Sequence, residues 1–375
     1  MEEGITQAQG NSSSMKGYAW EERILWYEKY IGQTRITSNE QYINLSAHNI
    51  ATVFNNHSSL YLLYKAKKRN NFFMGIFELK AAEMIGIYQL QSSNLVTNAT
   101  FYLKAIGTKA TGTSDETTQV TWYLSHAQGV LRLDVTMDES INNNFRELYS
   151  NLLVNEDTTL AKFQDYHFLC GGHLNNGIEF LASSSNGEGI SLFEPHHLTW
   201  ARRINPINEY VKGYMYTFGG LPRNEVLKNY YIEYKEIRVK DKNAFKSLNS
   251  GVVIIEPSKI ITTIPPNIEE SELNTKNYRS TVLEDNIYIF PVTIFKKMNY
   301  FYIFNTTNKT FVPYKVPNEI VDKVKNNNLA DYTDIQVTTA KNTIFFTLTK
   351  SDFEALWTQI IGFYTERLDR AKSSS

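Results

Sequence analysis

The sequence predicts a mostly β protein: an antiparallel jelly roll or β-sandwich, with an additional β-rich domain and amphipathic helices near both termini. Three observations carry this. Tyr, Phe, Ile, Val and Thr are abundant, with 24 Tyr and 21 Phe in 375 residues, and these types suit a pleated, half-buried surface. Short apolar segments recur along the chain, separated by turns rich in Asn, Gly and Ser, as in all-β proteins. The strand–helix alternation that builds a parallel sheet is absent. With 42% apolar and 21% charged residues, the chain has enough hydrophobic side chains for a sizeable core.

The elements follow in order. Residues 1–16 read as a polar arm without the apolar stretch of a secretory leader. Trp20, Ile24, Tyr27 and Ile31 fall at helical spacing before Gly32, which predicts an amphipathic helix over 17–31. Residues 1–40 are thus an arm and a helix, and 41–264 a jelly-roll-like β domain. LYLLYKA (60–66), NFFMGIFEL (71–79), EMIGIYQLQ (83–91) and NATFYLKAI (98–106) read as strands. Within 119–137, Val120, Trp122 and Leu124 alternate with polar positions. Past Gly129, Leu131, Leu133, Val135 and Met137 do the same, which predicts an antiparallel hairpin. DESINNNFRELYSNLL (138–153) predicts a helix capped by Asp138 or Ser140, with Ile141, Phe145, Leu148 and Leu152 on one face. The strand count exceeds one eight-stranded roll, so an insertion around 138–250 is expected. Asn186-Gly187 marks a second hairpin within 177–193, and strands at 210–218, 229–240 and 251–256 complete the run.

Residues 265–280, PPNIEESELNTKNYRS, lose the apolar pattern and predict a linker. A smaller β-rich domain, 281–375, follows. It has strands at 286–295, 299–304 and 309–316, the last two joined by NTTN, then a helix from Pro317 and a hairpin over 333–349. Ser351 and Glu354 form a capping-box pattern. Phe353, Leu356, Trp357, Ile360, Ile361, Tyr364 and Leu368 then make one stripe, which predicts an amphipathic helix over 351–371.

Charge and motif exclude several functions. Lys plus Arg is 38 and Asp plus Glu is 39, so no overall field draws in nucleic acid. The runs KAKKR (65–69) and IFKK (294–297) read as solvated faces. One cysteine makes no internal disulfide, which fits a reducing compartment. No apolar run approaches a membrane span. Phosphate-loop, dinucleotide, metalloprotease and nucleophile-elbow signatures are all missing, so neither an enzyme nor a cofactor is expected.

HFLCGGH (167–173) places His167, Cys170 and His173 together as weak candidate metal ligands, with His196 or His197 as a fourth. Zinc needs four such groups converging, and a spacing of three puts strand residues on opposite faces. Signatures of a thiol enzyme are missing around Cys170. The expectation is a buried, unligated thiol at a strand end. FLCGG, ending at Gly172, and YTFGG, ending at Gly220, lie 48 residues apart, a spacing that resembles kelch propeller blades. The doublet fails to recur near 124 and 268, so a propeller is set aside.

The strand segments 60–137 and 177–256, the Asn/Lys/Ile/Tyr-rich composition and the length resemble the penton, or minor capsid, proteins of virophages and related icosahedral DNA viruses. The resemblance implies a structural capsid protein: a jelly roll at a fivefold vertex, a homo-oligomer with pentamer symmetry, and the major capsid protein as partner, in a virion assembled in the host cytoplasm. Trp357, Ile361 and Tyr364, on the broad 351–371 stripe, are the expected subunit-interface residues, since Trp and Tyr are enriched at interfaces. The alternative is a carbohydrate- or receptor-binding β module of a phage tail or fibre, with Trp122 or Trp200 stacking on sugar.

Overall fold

The computed structural model describes residues 20–37, 47–54, 59–66, 70–97, 101–107, 111–114, 117–126, 129–138, 140–149, 159–163, 166–170, 180–184, 190–193, 203–204, 206–222, 232–239, 253–255, 259–261, 273–274, 276–297, 299–326, 331–351 and 355–369. The chain is mostly β and its sheets are antiparallel, the class that the composition predicts. Strand order decides which antiparallel architecture it is.

The first strand, β1 (Trp20–Thr37), is set apart from the strands that follow it. Sheet 1 is β2 (Ala47–Phe54), β3 (Ser59–Ala66), β4 (Phe72–Glu78) and β5 (Glu83–Gln89), paired in chain order. A short helix, α1 (Asn94–Thr97), leads to sheet 2. There β6 (Phe101–Gly107) and β7 (Thr111–Ser114) both pair with β8 (Thr117–His126), followed by β9 (Gly129–Met137) and β10 (Ile141–Tyr149). Sheet 3 is β11 (Thr159–Phe163), β12 (Tyr166–Cys170), β13 (Phe180–Ser184) and β14 (Ile190–Phe193).

Next comes β15 (Arg203–Ile204), then the hairpin of β16 (Ile207–Val211) and β17 (Tyr214–Phe218), then β18 (Leu221–Pro222), which pairs back with β15. Sheet 4 joins β16 and β17 to β19 (Ile232–Val239), whose two halves pair with β20 (Val253–Ile255) and β21 (Lys259–Ile261). Sheet 5 is β22 (Tyr278–Leu283), β23 (Asn286–Pro291), β24 (Tyr300–Asn305) and β25 (Thr310–Lys315). After α2 (Asn318–Val324), sheet 6 takes β26 (Asp334–Ala340), β27 (Thr343–Ser351) and β28 (Ala355–Asp369), and β1 is its fourth strand.

The leading strands touch in a closed cycle. β2 lies against β6, β6 against β11, β11 against β16, β16 against β22, β22 against β26, and β26 against β2. Six meanders around a ring of inner strands, locked by an N-terminal strand in the last sheet, make a six-bladed propeller within the antiparallel β class. The strands run as meanders and not as the crossed-over pairs of a jelly roll. The search for Gly-Gly doublets missed this architecture because the doublet at 219–220 serves a local purpose. Gly219 has φ +53, and a Cβ there would stand 1.9 Å from the Leu273 carbonyl oxygen; Gly220 N–H donates to that oxygen at 2.7 Å.

Each core lies between neighbouring sheets. Ile50, Val53, Leu63 and Met74 of sheet 1 pack on Val120, Trp122, Leu131 and Val135 of sheet 2. Ile207, Val211 and Phe218 of sheet 4 meet Tyr278, Ile287 and Phe304 of sheet 5, so packing crosses the expected linker. Residues 265–272 of that linker lie outside the described ones, whereas Leu273, Asn274 and Tyr278 are buried. Sheets 5 and 6 share Ile24, Trp26, Tyr288, Phe290, Phe346 and Phe363.

Three expected helices are strands. Of the expected 17–31 helix, the residues from Trp20 on belong to β1, in which Ile24, Leu25 and Trp26 are all buried; 17–19 lie outside the described residues. Of the expected 351–371 helix, Ser351 ends β27 and 355–369 form β28, the rest lying outside the described residues. A strand covered on both faces is apolar without alternation, and such a run also fits a helical stripe. On β28, Leu356 and Ile360 face sheet 1, while Trp357, Ile361 and Phe363 face sheet 5. The expected 138–153 helix is β10. Ile141 and Phe145, four apart, share one face of a strand as they would of a helix, and both join the core with sheet 1. Asp138, read as a helix cap, accepts Ser140 N–H at 2.9 Å in the turn before β10. The helix from Pro317 does form, as α2, burying Ile320, Val321 and Val324.

Trp26 lies in an aromatic cluster, 5.0 Å from Phe363, 6.1 Å from Phe346 and 6.3 Å from Phe295 between ring centroids. Trp26→Ala is expected to lower unfolding free energy by about 3–5 kcal/mol, read from denaturant titration. Gln359 behaves oppositely. It is fully buried in register with Leu348, and neither amide atom has a partner. Gln359→Leu keeps the volume and removes two unpaired polar atoms, so it is expected to raise the melting temperature.

Candidate functional site

Four antiparallel strands return the chain to the end of the sheet where it started, so every connection between sheets lies at one end of the ring. These connections are long: 38–46, 90–100, 150–158, 262–277 and 316–333. Turns inside the sheets at the other end are tight. All five non-glycine residues with positive φ among the described residues, Ala82, Lys212, Glu284, Lys309 and Lys341, sit in such turns. The inner strands therefore begin at the long-loop end, and loops carried on a rigid scaffold are the usual placement of binding groups.

Polar side chains join neighbouring inner strands along their length. On β16, Glu209 shares a strand face with Ile207 and Val211. Ser280 Oγ of β22 donates to Glu209 Oε1 at 2.6 Å. Thr281 Oγ1 of β22 and Thr339 Oγ1 of β26 are 2.5 Å apart. Arg279 Nε donates to the Ile335 carbonyl at 3.1 Å, and its Nη1 to its neighbour Tyr278 at 3.0 Å. Gln336 Nε2 of β26 donates to the Asn49 carbonyl of β2 at 3.1 Å. Glu209, Arg279, Ser280, Thr281, Gln336 and Thr339 are all half-buried.

Charges cluster at the start of β26. Asp334 lies near Arg279 and supports its charge against burial. Lys296 Nζ, from the β23–β24 connection, donates to the Tyr332 carbonyl and sits 4.1 Å over the Tyr332 ring. That differs from the solvated face expected for IFKK. Asp331 pairs with Lys350 at 2.8 Å.

The Glu209 carboxyl is pushed up to about 7 by burial, with the Ser280 hydrogen bond pulling the other way. Between the ordinary value of 4.5 and about 7, the folded state keeps a proton that the unfolded chain has lost. Stability from this group is full below that window and falls as pH rises through it. Compared with Glu209→Gln, the wild-type protein is expected to lose stability from about pH 4.5 to about pH 7 and then run parallel. Parallel curves throughout would show an ordinary carboxyl.

Of the residues singled out from sequence, several lie outside the described residues. His167 and Cys170 lie on β12, opposite Lys162 and Thr159 of β11; their side chains and all of His173 are outside the described residues. Among the described residues no group of three His, Cys, Asp or Glu side chains is placed to hold a metal. Trp122 is wholly buried and so offers no face to a sugar; Trp200 is outside the described residues. Ile361 is wholly buried in the chain's own core, so it is unavailable to a neighbouring subunit. Trp357 and Tyr364 are half-buried on opposite faces of β28. The sequence reading missed Glu209 and Arg279. Their signal was a charged residue in phase with buried apolar ones: Glu209 between Ile207 and Val211, and Arg279 four residues ahead of Leu283.

No family model and no curated protein matches the chain. Among solved structures it is similar to the crystal structure of polysaccharide lyase Uly1, with 10% identity and a TM-score of 0.40 over 84% of this chain and 90% of that one. A likeness at that level carries no argument about function. Among the described residues no helix is long and apolar enough to cross a membrane.

Proposed function

We propose that this chain is a carbohydrate-binding propeller whose site is the mouth of the ring at the long-loop end. The carrying observation is the set of half-buried hydrogen-bonding side chains on the first half to the middle of successive inner strands, Glu209, Arg279, Ser280 and Gln336. A polyhydroxylated ligand needs closely spaced donors and acceptors on a rigid frame. Hydroxyls supply both roles, Gln336 and Arg279 supply donors, and the carboxyls of Glu209 and Asp334 supply acceptors. Glu209 Oε1 is held by Ser280, which orients the carboxyl before a ligand arrives and lowers the ordering cost of binding. Sites on strands are held more rigidly than sites on loops.

The capsid-vertex expectation drew on jelly-roll strands, and the meander order lends it no support. The binding-module alternative keeps its chemistry but changes its residues, from Trp122 to the polar mouth.

A panel of neutral oligosaccharides on an array, followed by calorimetric titration of the best one, tests this. Glu209→Gln and Gln336→Ala are each expected to weaken binding about tenfold, equivalent to about 1.4 kcal/mol, with far-ultraviolet dichroism unchanged. A silent panel would reject carbohydrate as the ligand, and binding that both variants leave untouched would move the site away from the mouth.

A further inference from the structure

The seam where sheet 6 meets sheet 1 closes the ring, and its inner edge is polar. Thr347 and Thr349 of β27, Thr358 of β28, and Asn49, Thr52 and Tyr64 of sheet 1 are all buried. Most of their polar atoms pair across the seam. Thr52 Oγ1 donates to Thr347 Oγ1 at 3.3 Å, Asn49 Nδ2 to Thr52 Oγ1 at 3.3 Å, and Tyr64 Oη lies 2.8 Å from Thr358 Oγ1. Two atoms are left over, Asn49 Oδ1 and Thr349 Oγ1, both buried and without a partner.

They lie at one level. β2 and β26 both start from the long-loop end, and β27 returns to it. Thr52 is bonded to Thr347, so Asn49, upstream on β2, lies toward the same end as Thr349, downstream on β27. Thr349 is also in register with Thr358 on β28. Gln336, opposite Thr347 on β26, holds the Asn49 carbonyl and keeps β2 at this height.

The geometry points to an ordered water molecule bound in this seam, donating to Asn49 Oδ1 and accepting from the Thr349 hydroxyl. The chemistry selects water. Asn49 Oδ1 only accepts, Thr349 Oγ1 donates or accepts, and one neutral molecule must serve both. The hydrogen-bonded members are uncharged, which disfavours a divalent cation or an anion. The Thr358 hydroxyl, when Tyr64 donates to it, is free to give a third bond, and buried waters make about three. Burying two unpaired polar atoms in a dry seam is costly, whereas one water removes both penalties.

Two measurements test the site. A high-resolution crystal structure of the wild-type chain is expected to show an ordered water within about 2.7–3.2 Å of both atoms; an empty seam, or direct contact between Asn49 and Thr349, overturns the proposal. Thr349→Val keeps the side-chain shape and removes the hydroxyl. With water bound, the variant is expected to melt at a lower temperature, because the water loses a partner. If the seam is dry, the variant removes an orphaned hydroxyl and melts at the same or a higher temperature, which also overturns the proposal.

Discussion

Pairing between β1 and β28 joins the two ends of the described chain, from Trp20 opposite Asp369 to Thr37 opposite Ala355. Everything else in the fold leans on this contact. The last sheet has only three strands of its own, and without β1 the ring has an open end. Closure covers both faces of sheet 6, burying Leu356 and Ile360 against sheet 1 and Ile361 and Phe363 against sheet 5. It also requires contacts of very long sequence separation, so the chain gains them only after the intervening sheets are in place.

A closed ring also fixes where chemistry can sit. Between the sheets whose side chains are described, most facing residues are apolar and buried. On the inner strands, polar groups are tolerated where they bond to one another. Glu209 with Ser280, Thr281 with Thr339, and Gln336 with the Asn49 carbonyl are such bonds, each linking one sheet to the next. The same contacts hold neighbouring sheets in register and fix the orientation of the side chains that make them. The bond between Thr281 and Thr339 lies toward the tight-turn end, where Thr339 stands just before the β26–β27 turn. The exposed pair at that end, Lys212 with Asp285 at 2.5 Å, ties sheets 4 and 5 and contributes little beyond that.

Hairpins were legible where one face of the strand differs from the other. The alternation of Val120, Trp122 and Leu124 against Leu131, Leu133 and Val135 is the register that β8 and β9 adopt. The loop NTTN closes β24 onto β25, with Asn305 Oδ1 accepting the N–H groups of Thr307 and Asn308 at 2.9 and 3.1 Å. Where both faces are covered the signal vanished. The apolar runs of β1 and β28 match a helical stripe as well as a strand, and only the partner strand tells them apart. The candidate site was hidden for a related reason. Glu209 and Arg279 belong to no motif, because their meaning comes from strands about seventy residues apart lying side by side.

Composition and local patterning by themselves determined that this protein is antiparallel and mostly β, where many of its hairpins turn, and that α2 forms after Pro317. These are properties of side-chain type and of residues a few positions apart. Tertiary structure alone decided that the hairpins gather into six larger sheets among the described residues, that the two ends share a sheet, and that Glu209 meets Ser280, Arg279 the Ile335 carbonyl and Gln336 the Asn49 carbonyl across neighbouring strands. Each of those outcomes depends on which strand covers which face, and a face covered by a distant strand leaves no period in the local sequence.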